Sequence, residues 1–176
     1  MVVLGGYADQ MRTAVLRCKR PAGETLADTL AALLIDRHGA VLSAWGIDLI
    51  VPVPMHWRRR LVRGTSAAQS LAVGIASRLR APCRASLSRV VATRMQNELP
   101  PCDRPANVAD AFRARAAVVG RTVLLVDDVC TTGATLAACS RVVAAAGARR
   151  IYAAVAARAD GSADLDEGLH EHAGKE

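Results

Sequence analysis

The chain has 176 residues, just over half of them apolar and only five aromatic, so it can build one domain with a core of Val, Leu, Ile and Ala. No apolar run approaches the roughly 20 residues needed to cross a bilayer, and "MVVLGGYADQMR" lacks the basic start, long apolar stretch and cleavage site of a signal peptide; membrane insertion is not expected, and the cytoplasm is the expected location. The net charge of +7 is uneven: residues 1–159 hold 22 Arg and Lys against 10 acids (+12), while residues 160–176 hold one Lys against six acids (−5).

In chain order, "GETLADTLAALLIDRHG" reads as a helix, with Leu26, Leu30, Leu33 and Leu34 at helical spacing and Gly39 as its stop. "IDLIVPVP" is a short apolar run ended by prolines, a strand leading into a loop. "MHWRRRLVRG" is that loop, with four arginines within six residues. "TSAAQSLAVGIASRLR" returns to helix, with Thr65 or Ser66 as N-cap, and "SLSRVVAT" reads as a strand. Residues 94–111 have no period and hold three prolines, the mark of a functional or mobile loop. "RTVLLVDD" is a continuous apolar run suited to the middle of a parallel sheet. "GATLAACSRVVAAAG" reads as a helix with Leu136, Cys139, Val142 or Val143, and Ala146 on one face and Gly147 at its end. "RRIYAAVAARA" is a further strand. The expected division is a domain over 1–159 and an acidic, flexible tail over 160–176. Strands alternating with helices predict an α/β fold with a mainly parallel sheet flanked by helices. In such folds ligands bind at the carboxyl ends of the strands.

Of the 23 basic residues, only Lys19 and Lys175 are lysines. Arginine suits a bidentate grip on phosphate, and a GC-rich coding bias gives the same excess. The five cysteines, Cys18, Cys83, Cys102, Cys130 and Cys139, show neither a C-x-x-C spacing nor an even count. They read as reduced, partly buried thiols rather than as a disulfide frame or a zinc module. Cys130 precedes a helix start, where a thiol can be activated; a small filler is the plainer reading. His170 and His172 stand alone in the tail, which argues against a metal site there.

The stretch "VLLVDDVCTTGATL" carries the chemistry. Asp127 and Asp128 repel each other at the end of a buried strand, so a partner rich in positive charge or hydroxyls belongs against them. A sugar with two neighbouring hydroxyls fits, and a divalent metal could share the task. The following turn offers backbone N–H groups and a helix dipole to an anion. Thr131, Thr132 and Thr135 add hydroxyls, and Gly133 lets the backbone come close. A phosphate monoester fits that cup. Neither the Walker A pattern nor G-x-G-x-x-G occurs. The plainer alternative is an ordinary capping turn beside a stray acid pair.

"VLLVDDVCTTGAT" closely resembles the signature of the type I phosphoribosyltransferases, which bind 5-phosphoribosyl-1-pyrophosphate (PRPP). The resemblance implies that Asp127 and Asp128 hold the ribose 2′ and 3′ hydroxyls and that Thr131, Thr132, Gly133, Ala134 and Thr135 hold the 5′-phosphate. "DLIVPVPMHWRRRLVRG", "LSRVVATRMQNEL" and "RPANVADAF" narrow it to the ComF family, phosphoribosyltransferase-like proteins linked to competence for DNA uptake. The resemblance covers roughly residues 7 to 158. Many family members begin with a cysteine-rich zinc-binding segment; here it is either lost or lies upstream of this start. The family's Arg-Gly-Phe-Asn-Gln is replaced by Arg63-Gly64-Thr65-Ser66-Ala67.

By that resemblance the reaction transfers phosphoribosyl from PRPP to a nitrogenous base, and pyrophosphate leaves. Its charge must be neutralised, usually together with Mg²⁺. His56, Arg58, Arg59 and Arg60, supported by Arg63, are the expected grip; a solvated basic turn is the alternative. Thr93, Gln96, Arg104 and Asn107 are the polar candidates of a loop closing over the site, or else they order that loop. No catalytic base is identified, because Thr131 stands where purine-salvage relatives carry an aspartate. Any metal is expected to enter through PRPP, with Asp127 and Asp128 as its only protein candidates. Tyr152 and Trp57 are the best-placed rings for stacking on a base. The expected partners are PRPP and an unidentified base, with a homodimer possible. The rivals are a non-catalytic PRPP or nucleotide sensor, and a DNA-uptake accessory binding single-stranded DNA or a helicase.

Overall fold

The computed structural model describes residues 1–20, 22–55, 66–89 and 112–159. Its centre is a four-stranded sheet in the order β1 (Val2–Gly6), β6 (Arg150–Arg158), β5 (Thr122–Cys130), β2 (Leu49–Pro52), with every neighbouring pair parallel. Beyond β2, residues 82–84 add a short parallel bridge. Ile50 N–H donates to the Pro82 carbonyl at 2.9 Å, and Arg84 N–H donates to the Ile50 carbonyl at 3.0 Å.

Both faces of the sheet are covered. Leu124 and Val126 point to the face carrying α1 (Asp9–Cys18), α2 (Glu24–Ala44) and α3 (Ala67–Leu79). Val123 and Leu125 point to the other face, with α4 (Ala134–Ala145) and the antiparallel pair β3 (Leu87–Arg89) and β4 (Phe112–Ala114). Residues 123–126 are all fully buried. That is why the run is continuously apolar instead of alternating. The α/β reading and the parallel sheet are therefore correct.

Several local expectations need correction. Gly39 does not stop its helix; α2 runs on to Ala44, because its buried face continues through Leu42. Leu33 faces solvent, 49% exposed, while Leu30 and Leu34 are buried. The buried stripe of α2 is centred on Ala27, Ala31 and Leu34, and Leu33 falls outside it. Ser66 rather than Thr65 caps α3, its Oγ accepting Gln69 N–H at 3.3 Å. β5 runs two residues past Asp128, so the acids lie within its last four positions. On α4, Leu136, Cys139 and Val143 are buried as expected. Among the described residues no helix is long and apolar enough to cross a membrane.

Where α2 and α3 meet, Gly74 sets the approach. A Cβ there would come within 2.7 Å of Ala31 Cβ and 2.9 Å of Asp28 Oδ1. Asp28 is held in turn by a two-pronged ion pair from Arg78, at 2.6 and 3.0 Å. Gly74→Ala should therefore destabilise the chain by roughly 1–2 kcal/mol despite its better helix propensity. Urea unfolding measures this; a stabilised variant would mean the helices can separate freely.

Candidate functional site

The parallel registers place two loops side by side. Pro52 pairs with Val126, and Val53 N–H donates to the Val126 carbonyl at 2.8 Å. The Pro-Val-Pro end of β2 thus leaves the sheet directly beside Asp127. A cleft of about 170 Å³ opens there. Asp127, Asp128 and Thr135 form one wall, and Val53, Pro54 and Met55 another. Met55 and Ser66, the described residues on either side of 56–65, both line it, and so does Arg89, just before 90–111. A larger groove of about 680 Å³ runs along α1 from Asp9 to Arg17, but it holds neither carboxylate nor any predicted site residue.

The acid pair is asymmetric. Asp127 Oδ1 accepts the N–H of Asp128 at 2.8 Å, and Asp128 Oδ1 accepts that of Val129 at 3.0 Å. Burial, then the neighbouring Asp128 charge, hold the Asp127 carboxyl well above the usual carboxylate range. Burial acts the same way on Asp128, but the Lys19 ammonium and the hydrogen bonds from Asp127, Lys19 and Val129 outweigh it and hold that carboxyl below its ordinary value.

Lys19 is the residue that reading the sequence for motifs missed. Its Nζ lies 2.6 Å from Asp128 Oδ2, with both side chains about one-fifth exposed. It follows α1 directly, where Val15 and Cys18 are anchored in the core at 1% and 3% exposure. One signal pointed to it: Lys19 is the single lysine among residues 1–159.

The turn after β5 leads directly into α4. Gly133 has φ +74° and is the N-cap of α4, to which it contributes no side chain. Thr132 Oγ1 reaches Ala134 N–H only at 3.4 Å. Thr131 and Thr132 are exposed, while Gly133, Ala134 and Thr135 are half-buried. The helix N-terminus therefore keeps its positive end toward the cleft side of the sheet.

Other expectations fare differently. Tyr152 pairs in register with Leu124, three residues before Asp127, and stacks on Trp45 with ring centroids 4.2 Å apart and planes within 3°. It belongs to the core near the start of β5 and is not placed to hold a base. Cys130 is buried, and that burial raises its thiol pKa against the opposing pull of Arg158, so the filler reading stands over the activated one. Cys18, Cys83 and Cys139 are also free thiols. His56, Trp57, Arg58, Arg59, Arg60, Arg63, Thr93, Gln96, Arg104, Asn107 and the tail with His170 and His172 lie outside the described residues.

Comparison with known proteins identifies the family. A family model described as the phosphoribosyl transferase domain matches residues 61–169. The DNA utilization protein YhgH of Salmonella typhi is 30% identical over 158 residues, covering 86% of this chain and 68% of that protein. Competence protein F of Haemophilus influenzae is 31% identical over 169 residues, covering 90% and 72%. A solved structure described as the allosteric regulatory enzyme of purine biosynthesis superposes with a TM-score of 0.52 at 23% identity. The likeness covers 76% of this chain and 26% of that one, so this chain spans about a quarter of that enzyme's length and shares its fold. On these matches the chain belongs to the ComF family of the type I phosphoribosyltransferase superfamily.

Proposed function

We propose that the cleft binds PRPP and that the chain transfers its phosphoribosyl group to a nitrogenous base. The observation that carries this is the meeting of the acid pair with Thr135, in the first turn of α4, at the carboxyl end of one strand. Asp127 and Asp128 accept hydrogen bonds from the ribose hydroxyls. Residues 131–135 receive the 5′-phosphate, whose charge suits a helix N-terminus. The basic residues His56, Arg58, Arg59, Arg60 and Arg63 neutralise the departing pyrophosphate, and Thr93, Gln96, Arg104 and Asn107 close the site. The bond from C1′ to the pyrophosphate oxygen breaks, a C1′–N bond forms, and the nitrogen's proton leaves to solvent or to the pyrophosphate.

Mg²⁺ belongs with this reading as a partner of the ligand's own phosphates. Among the described residues no cluster of three or more His, Cys, Asp or Glu is arranged to hold a metal, and Asp128 already faces an ammonium. Asp127 and Asp128 are the carboxylates that would share in holding such an ion, whose charge would offset that of the departing pyrophosphate. A cytoplasmic location follows from the substrate.

The names of the similar proteins, a DNA utilization protein and a competence protein, favour a second reading, in which the chain serves DNA uptake as a PRPP-responsive or DNA-binding accessory. The +12 balance of residues 1–159 supports it. Pyrophosphate release from PRPP, screened across nucleobases, separates the two. Release with at least one base is expected of the transferase. PRPP binding without release from any base would favour the accessory. Affinity for single-stranded DNA falling steeply with salt would mark a DNA binder.

A further inference from the structure

We propose that Lys19 is a binding residue of the cleft: its ammonium, paired with Asp128, also contacts an anionic oxygen of the phosphorylated sugar. This rests on the PRPP reading given above. The ammonium carries three donors, and Asp128 Oδ2 takes one of them at 2.6 Å. Asp128 Oδ1 is engaged by the Val129 N–H. Lys19 stands on the same cleft as Asp127, Asp128 and Thr135, so its remaining donors share the space that a ligand would fill.

The electrostatics require such a group. Two carboxylates at the mouth of an anion cup repel the ligand that the cup attracts. The lysine cancels one of these charges without closing the cleft. Its place is fixed from behind: Cys18 and Val15 are buried under it, so the short segment after α1 presents the ammonium at the sheet's carboxyl edge. An arginine-rich chain has placed its one domain lysine here.

Calorimetric titration of the full chain with PRPP and Mg²⁺ tests this, comparing the unaltered protein with Lys19→Met, Lys19→Gln and Lys19→Arg. Lys19→Met and Lys19→Gln should weaken binding by about tenfold to a hundredfold, the cost of losing one hydrogen bond between the ammonium and a charged ligand oxygen. The salt dependence of their affinity should be shallower than that of the unaltered chain. Lys19→Arg should recover part of the loss, which a purely structural role would not produce at unchanged thermal stability. Equal or tighter binding by a folded Lys19→Met or Lys19→Gln chain would overturn the inference and show the lysine to be a plug. Failure of Lys19→Arg to recover any affinity would assign the loss to packing, and would also overturn it. If the unaltered chain binds no PRPP, the ligand reading falls, and this inference falls with it.

Discussion

Replacing both Asp127 and Asp128 with asparagine is expected to weaken PRPP binding by about a hundredfold or more. A hydrogen bond to a charged acceptor contributes about 1.5–3 kcal/mol, and two such bonds link the acids to the ribose diol in the proposed complex. Each factor of ten in affinity corresponds to about 1.4 kcal/mol. Asparagine keeps one oxygen acceptor, which sets the loss at the lower end of that range. The backbone N–H groups of Asp128 and Val129, now satisfied by the two carboxylates, can be satisfied by the amide oxygens. The fold should therefore survive, and a titration of the folded variant reads the loss of the two carboxylates from the site. Unchanged affinity would show that the acids serve the apo structure and not the sugar.

The same two positions should have opposite effects on stability when changed singly. Asp127 has a raised pKa because it is buried and lies beside Asp128. Its native form holds a proton more firmly than the unfolded chain, so its contribution is full at low pH. That contribution is lost as pH rises above the unfolded carboxyl value of about 3.9 toward the higher folded one. Asp128 has a lowered pKa: burial opposes ionisation, and Lys19 with the surrounding hydrogen bonds prevails. Its contribution is present above the unfolded value and is lost as pH falls through the folded one. Asp127→Asn should then stabilise the chain near neutral pH by on the order of 1 kcal/mol. Asp128→Asn should destabilise it by about 1–3 kcal/mol, because it strands the Lys19 ammonium. Urea unfolding from pH 4 to pH 8 should show the advantage of Asp127→Asn growing as pH rises. Parallel pH profiles for the two variants would contradict the asymmetric pair.

That opposition fits a binding site better than a structural one. A site that must accept a diol keeps a costly carboxyl where a stabler residue would do. The cleft therefore holds an adverse group in place, and the neighbouring apolar strands supply the stability to tolerate it.

The parts of this arrangement that were legible in the sequence share a cause. "RTVLLVDD" announces its sheet position because burial on both faces removes alternation, and residues 123–126 are all at 0% exposure. The acid pair and the Thr-Gly turn are contiguous in the chain, so their proximity needed no fold to reveal it. Lys19 was not legible as a site residue because it is brought to Asp128 across more than a hundred positions by the packing of α1 on the sheet. The Tyr152 expectation failed for a related reason. Its composition suited a base-stacking ring, but only the β5–β6 register shows it beside Leu124, with Trp45 already on its face. Gly39 was misread because a glycine inside a long helix ends it only when the buried face ends too, and Leu42 continues that face. β1, α1 and β4 drew no assignment, since their short apolar patterns carry no capping box or turn pair to mark them.

A crystal structure of the chain grown with PRPP and Mg²⁺ tests the central claim most directly. The expected result is a ribose whose 2′ and 3′ hydroxyls lie within hydrogen-bond distance of Asp127 and Asp128, with the 5′-phosphate against the N–H groups of residues 131–135. A ligand seated elsewhere, or one turned so that the acids face a phosphate, would contradict it.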